Sequence, residues 1–412
     1  MSWGLAFVAL ALLLVVAISR RLSNTPVTPQ MVFLAVGVLV GPKVIGALEV
    51  RPGGDTVRTL AEATLSVVLF ADASRISIRE LRREYSLPLR LLLVGLPLTI
   101  VAGALVAKAL FGALTFAEAA VLAVLLAPTD AALGQAVVVD ERLPEEIREG
   151  LNVESGLNDG LCVPLLFVAI AAADVESSLE GAGHAFAVAA EEIGFGLLAG
   201  VAAGLLAGAM VLYGSRRALV AGPWRQVAPV AATALAYGTA TGLGGSGFIA
   251  SFVAGVCFGR VLGNEREIGR LNEELGDILG GATFVVFGAV LLAPELSHIS
   301  WQMALYALAS LTVVRMVPVA VSLLGSGARP PTVAFVGWFG PRGLASIVFA
   351  VIVVLEAHLP PGETIARVAY LTVAASTIAH GLSAAPLAGR YGRWLAGRPP
   401  GSLSEIELPP AG

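Results

Sequence analysis

Five ionisable residues fall where the chain is otherwise too apolar to accommodate charge: Asp130, Glu154, Asp159, Arg315 and Arg342, with Asp72 near the end of another apolar run. A charged side chain at the centre of a membrane helix costs about 2.5–3.5 kcal/mol on insertion scales, so each needs a partner or a wet cavity. The run Glu154-Ser155-Gly156-Leu157-Asn158-Asp159 sorts its polar groups by spacing. Residues four apart share a helix face, which puts Ser155 with Asp159 and Glu154 with Asn158 on the neighbouring face. The first face offers hydroxyl and carboxylate oxygens to a hard cation, which prefers oxygen ligands. The second can hold Glu154 against an arginine. Helix-end acids facing water are the simpler reading for Glu146 and Glu149, but not for Asp159, which lies deeper in the run.

A second group sits in Ala127-Pro128-Thr129-Asp130. Pro128 donates no backbone hydrogen bond and disfavours helix at Ala127, so the helix breaks there or kinks, with Thr129-Asp130 as a capping pair. A kink explains Thr129 but not a mid-membrane Asp130. Carbonyls freed between Val124 and Thr129 become candidate cation ligands. Asp130 then stands at the positive N-terminal end of the second half-helix, which favours its charged form. Gly340-Pro341-Arg342-Gly343 is a matching break with an ionisable residue beside its proline. With Asp130, Glu154 and Asp159 set against Arg315 and Arg342, one negative charge is left over. That surplus suits one monovalent cation, or one proton in its place.

The elements that must hold these residues are membrane helices. Of 412 residues, 57% are hydrophobic and only 14% charged, with a mean hydropathy of +0.84. A soluble domain of ordinary composition has about a quarter charged residues. The apolar residues also come in long runs. Thirteen segments can be drawn, at roughly 3–18, 28–48, 57–74, 87–111, 114–139, 146–173, 184–213, 226–242, 246–262, 268–294, 301–324, 332–356 and 364–388. Nothing basic precedes the first segment and Arg20-Arg21 follows it, the reverse of a secretory signal, so it reads as a retained helix. Nineteen of the 26 Lys and Arg residues lie in loops after odd-numbered segments and five in loops after even-numbered ones. The positive-inside rule then places the N-terminus outside and the C-terminus in the cytoplasm.

The two breaks lie in segments five and twelve, seven apart. Two six-helix units joined by a single connector give that offset, and an odd connector inverts the second unit. The expected fold is therefore an all-α polytopic membrane protein with two inverted repeats, about 1–173 and about 226–388, joined by a connector helix at about 184–213. Its discontinuous helices cross at the midplane. Residues 1–397 form one transmembrane domain, and the polar, Pro/Gly-rich stretch 398–412 reads as a short disordered cytoplasmic tail.

Three stretches in order carry a family resemblance: Ala127-Pro128-Thr129-Asp130, Asn152-Val153-Glu154-Ser155-Gly156-Leu157-Asn158-Asp159 and Gly337-Trp338-Phe339-Gly340-Pro341-Arg342-Gly343. Together they resemble the monovalent cation/proton antiporter family, over nearly the whole chain. Within it they are similar to the electroneutral sodium/proton exchanger branch of archaea and bacteria, whose Asn-Asp pair matches Asn158-Asp159. The resemblance implies a thirteen-helix homodimer in the cell (inner) membrane, with a core domain rocking against a dimerisation domain. It implies exchange of sodium for a proton, with lithium or potassium as other cations, and a place in pH homeostasis. Asp159 would be the main cation and proton carrier. Asp130, Ser155 and the Thr129 carbonyl would complete the sodium shell, supported by Asn158. Glu154 would pair with an arginine, Arg315 first and Arg342 second, and Asp72 would approach the site through water.

Other features are weaker. Gly242-Leu243-Gly244-Gly245-Ser246-Gly247 fits a dinucleotide fingerprint, but no strand precedes it and it reads as a tight turn. Gly196, Gly200, Gly204 and Gly208 share a face of segment seven and allow close helix approach, within the protomer or between two. Glu273, Glu274 and Asp277 suit a solvated helix end or a cation-attracting funnel. His184, His298 and His358 lie near predicted outer ends and His380 within segment thirteen, with no role assigned to any. Cys162 and Cys257 show no ligand spacing. No hydrolase, redox, nucleotide or nucleic-acid motif is present, and no cofactor is expected. A cation channel is the rival in another class, and a potassium/proton antiporter is the alternative within the same fold. Paired breaks in an inverted repeat favour the antiporter over the channel.

Overall fold

The computed structural model describes residues 2–22, 25–46, 54–76, 86–177, 182–263, 266–355, 359–399 and 403–408. Arg51, Arg79, Arg82, Arg83 and His358 lie outside the described residues. Those described form helices and no strand. The first four helices are α1 (Ser2–Leu22), α2 (Pro29–Val40), α3 (Asp55–Arg75) and α4 (Ser86–Leu110), the last with a π-helical turn at Leu91–Gly95. The fifth is broken into α5a (Phe116–Leu125) and α5b (Gln135–Val138), the latter entered through a 3-10 turn at Ala131–Gly134. Next come α6 (Glu145–Ser177), α7 (Ala182–Arg216), α8 (Gly222–Gly242), α9 (Gly247–Leu262) and α10 (Arg266–Val286), which continues into a π-helical Phe287–Leu292. The rest are α11 (Trp301–Ser322), the broken pair α12a (Pro330–Trp338) and α12b (Leu344–Leu355), and α13 (Gly362–Ala396).

Among the described residues, seven helices are long and apolar enough to cross a membrane, and α2, α5a, α9 and α12b are shorter apolar helices. The outer surface is apolar too: Leu5, Leu13, Leu198, Met210 and Leu308 are exposed. Such a surface belongs in lipid, where only helices and closed barrels satisfy their own backbone. The protein is a multi-pass membrane protein.

Local sequence sets the helix ends. Thr115 and Glu118 form a reciprocal capping box that starts α5a. Thr28 caps α2 ahead of Pro29, and Ser246 caps α9, which ends on Gly263 in the left-handed region. α5a stops at Leu125, short of Pro128, and α12a stops at Trp338, short of Pro341.

Two helix groups result. α2, α3, α7, α8, α9 and α10 pack together, with α1 against α2. α4, both parts of α5 and α12, α6, α11 and α13 form the other group. Packing of α6 against α7, α3 and α9, and of α12b against α3, joins them. The glycine stripe of α7 is used inside the protomer: a Cβ at Gly200 would lie 2.7 Å from Ala250 O on α9, and one at Gly208 would lie 2.9 Å from Val261 Cβ.

The stretch expected to be a disordered tail differs. Leu403–Leu408 folds back, burying Ile406 and Glu407. α12a opens on Pro330-Pro331 behind Arg329, which supplies no side-chain cap. Glu407 fills that role from a distance. Its Oε1 accepts from Arg329 N at 2.9 Å and from the Thr332 hydroxyl, and its Oε2 accepts from Ser404 N at 3.1 Å. Composition hid this because one carboxylate and one isoleucine do the anchoring. Burial alone would push the Glu407 carboxyl up, but its hydrogen bonds from Thr332, Arg329 and Ser404 hold it below the usual range. A depressed folded-state value stabilises above the ordinary glutamate range and loses that contribution as pH falls through the folded value. Glu407→Ala should therefore cost about 1 kcal/mol at neutral pH, the size of a lost helix cap. The difference from the native protein should close in acid. Thermal melts in detergent across pH check both.

Candidate functional site

The site forms where the two broken helices cross. Asp130 N donates to Pro341 O at 2.8 Å, so the unwound stretch of α5 is hydrogen-bonded to that of α12. Asp130 also caps both second halves: Oδ1 accepts from Ala132 N at 2.9 Å and Oδ2 from Leu344 N at 3.0 Å. The positive ends of the 3-10 turn and of α12b thus converge on one carboxylate. Gly343 makes this possible, since a Cβ there would overlap Asp130 Oδ2.

α6 holds the other side of the crossing. Asn158 reads Thr129 twice: Oδ1 accepts from Thr129 N at 3.2 Å, and Nδ2 donates to Thr129 Oγ1 at 2.8 Å. Ser155 Oγ donates to Thr129 O at 2.7 Å and accepts from Ala131 N at 2.8 Å. These bonds satisfy backbone groups that the break at Pro128 leaves without helical partners. A small cleft bounded by Val137, Val138, Leu151 and Phe339 reaches Thr129, Asp130 and Ser155.

Asp159 is placed differently. It is 7% exposed, and its Oδ1 is buried without a hydrogen-bond partner. Asp72 and Asp130 lie within electrostatic range of it. A Cβ on Gly156 would sit 3.0 Å from Asp72 Cβ, so α3 presents Asp72 to α6 one turn before Asp159. Three acids therefore surround one region, and only Asp159 has an oxygen sealed from water with no donor.

Glu154 points to the other face of α6. Arg315 Nη1 and Nη2 meet its two oxygens at 2.5 and 2.7 Å, with both side chains 2% exposed. Such a two-pronged arginine–carboxylate pair is the strong, orientation-specific kind. Gly340 gives the Arg315 guanidinium room to pass, since a Cβ there would strike its Nε. Arg342 meets no carboxylate within ion-pair distance among the described residues. Its Nη1 instead donates to Ala127 O at 2.9 Å and Pro128 O at 3.4 Å, two carbonyls of the unwound stretch just beyond α5a. Elsewhere, Glu273 meets Arg75 at 2.8 Å between α10 and α3. No group of three or more His, Cys, Asp or Glu side chains arranged for a metal is present among the described residues.

Sequence reasoning passed over Gly340 and Gly343 as space-makers and Ser376 on α13, and it noted His380 on the same helix without giving it a role. The last two form a polar pair four residues apart in an apolar segment, a signal available from spacing alone.

A family model for the transmembrane sodium/hydrogen exchanger matches residues 8–390. The fold is similar to the sodium proton antiporter MjNhaP1 from Methanocaldococcus jannaschii, with a TM-score of 0.72 at 19% identity, covering 94% of this chain and 98% of that one. The K(+)/H(+) antiporter NhaP2 of Shewanella oneidensis is 26% identical over 412 residues, which take in 96% of this chain and 66% of that protein. A probable Na(+)/H(+) antiporter of Schizosaccharomyces pombe is 27% identical over 339 residues, 76% of this chain and 44% of that protein. This chain thus spans just under two thirds of the length of the Shewanella relative. With the family match covering nearly every helix and both breaks, the chain belongs to the transmembrane sodium/hydrogen exchanger family.

Proposed function

We propose that this chain is a secondary active transporter that exchanges one monovalent cation, sodium first, for one proton by alternating access. The observation that carries the reading is Asp159: a carboxylate beside two broken helices, with one oxygen buried and undonated and two further acids in range. A cation and a proton are the two species that would relieve that charge. Asp159 carries both in turn. Asp130, Ser155, the Thr129 carbonyl and Asn158 shape and complete the cation shell, and Asp72 reaches it through water. Glu154 and Arg315 form a structural pair, while Arg342 holds the unwound stretch just beyond α5a.

The repeats run over about 1–173 and about 226–388 with α7 as connector. The protein sits as a homodimer in the cell (inner) membrane, N-terminus outside, and serves pH homeostasis. Potassium/proton exchange is the second reading, favoured by the name of the Shewanella relative.

Competition for one carboxylate has a measurable consequence. Protonated Asp159 attracts no cation, so apparent sodium affinity in proteoliposomes must fall as pH drops, and sodium must lower the apparent proton affinity by the same factor. Sodium and potassium titrations at several pH values, read by an entrapped pH dye, test this. An affinity independent of pH would contradict a shared site.

A further inference from the structure

We propose that His380 and Ser376 are positioning residues that staple the unwound stretch of α12 to α13 and so fix where Asp130 stands. His380 is fully buried, and its Nε2 lies 2.9 Å from Trp338 O, the last carbonyl of α12a. Four residues earlier on the same face of α13, Ser376 Oγ accepts from Arg342 N at 2.6 Å. The two contacts grip the broken segment at both ends, Trp338 on one side and Arg342 on the other. The Trp338 ring stacks on the imidazole with centroids 5.0 Å apart, and its Nε1 donates to Ser383 Oγ at 2.9 Å, one turn further along α13.

The bonds have a direction. Trp338 O can only accept, so Nε2 must carry a proton. Ser376 Oγ already accepts from Arg342 N, so its own proton is free for His380 Nδ1, 3.2 Å away. Nδ1 also lies 3.0 Å from Ser376 O, so a ring protonated on both nitrogens keeps the grip on Trp338 as well. The form that releases Trp338 is the neutral ring protonated on Nδ1 alone.

The staple reaches the site through the crossing. Pro341 O holds Asp130 N and Leu344 N holds Asp130 Oδ2, and these two residues flank Arg342. Loosening residues 338–342 therefore displaces the groups that suspend Asp130. The consequence for transport rests on the exchange reading above and falls on cation affinity more than on maximal rate, because none of the residues assigned to the exchanged ions lies on α13.

The test combines transport with spectroscopy. In proteoliposomes, His380→Leu should raise the KM for sodium about tenfold, the size of one lost buried hydrogen bond, with little change in maximal rate. His380→Gln places an amide N–H where Nε2 stood and should restore the native KM. Ser376→Ala, which removes the acceptor for Arg342 N with the least change in volume, should also raise KM and serves if the leucine variant does not fold. A glutamine variant as impaired as the leucine one, or an unchanged KM in the leucine and alanine variants, overturns the staple. Nitrogen NMR of the native protein with labelled imidazoles, assigned by loss of the signal in His380→Gln, reads the ring directly and independently of exchange. A proton on Nε2 is expected, and a neutral ring protonated only on Nδ1 refutes the proposal. If the native protein moves no protons in response to any cation, the exchange reading fails while the NMR result still decides the staple.

Discussion

Asp159→Asn should reduce cation-driven proton movement by about two orders of magnitude or more, the range seen when a proton-transferring group is removed, while the protein stays folded. Both parts follow from the position of the side chain. The substitution keeps shape and volume, and the buried Oδ1 gives up no hydrogen bond because it has none. It also removes a charge that Asp72 and Asp130 repel, so the melting temperature should hold or rise. Asp130→Asn should behave otherwise. Both Asp130 oxygens accept backbone N–H groups, from Ala132 and Leu344, and an asparagine can accept with only one of them. That variant should lose stability as well as transport. Flux and thermal melts on the two proteins separate a carrier from a suspended structural acid. Normal exchange in Asp159→Asn would remove Asp159 from its role.

Glu154→Ala and Arg315→Ala should each destabilise the protein by roughly 3–5 kcal/mol, because each leaves an uncompensated buried charge. The double replacement should cost less than the sum of the two, since the orphaned charge disappears with its partner. Lowered melting temperature and poor yield of each single variant, with partial recovery in the double, are the expected readouts. Arg342→Ala should show no such coupling to Glu154, because Arg342 donates to the carbonyls of Ala127 and Pro128. A stable Arg315→Ala protein with no coupling would break the pairing.

How much of this could be read from sequence depended on the kind of signal. The helical class and the two breaks were plain, because apolar runs and proline act locally: α5a and α12a each end within three residues of the proline that stops them. That Glu154 meets an arginine followed from helix faces together with the cost of an unpaired buried charge, whereas Arg315 rather than Arg342 came only from the family resemblance and is what the fold shows. What Asp130 does was only half visible. Its place at a half-helix N-terminus was legible, but its second bond, to Leu344 N, comes from a segment more than two hundred residues away. The same distance hid the spacing roles of Gly340 and Gly343, which matter only once Arg315 and Asp130 arrive beside them. The fold of 403–408 was missed because average polarity says nothing of one carboxylate meeting an uncapped helix start.

The most direct test of the central claim is a null-point measurement in proteoliposomes. Sodium and pH gradients are imposed together, potential is clamped with potassium and valinomycin once potassium is shown not to be transported, and net proton movement is followed. One-for-one exchange of a cation and a proton at Asp159 predicts that movement stops when the sodium ratio equals the proton ratio, at every clamped voltage. A null point that shifts with voltage, or proton movement that ignores sodium altogether, would contradict it.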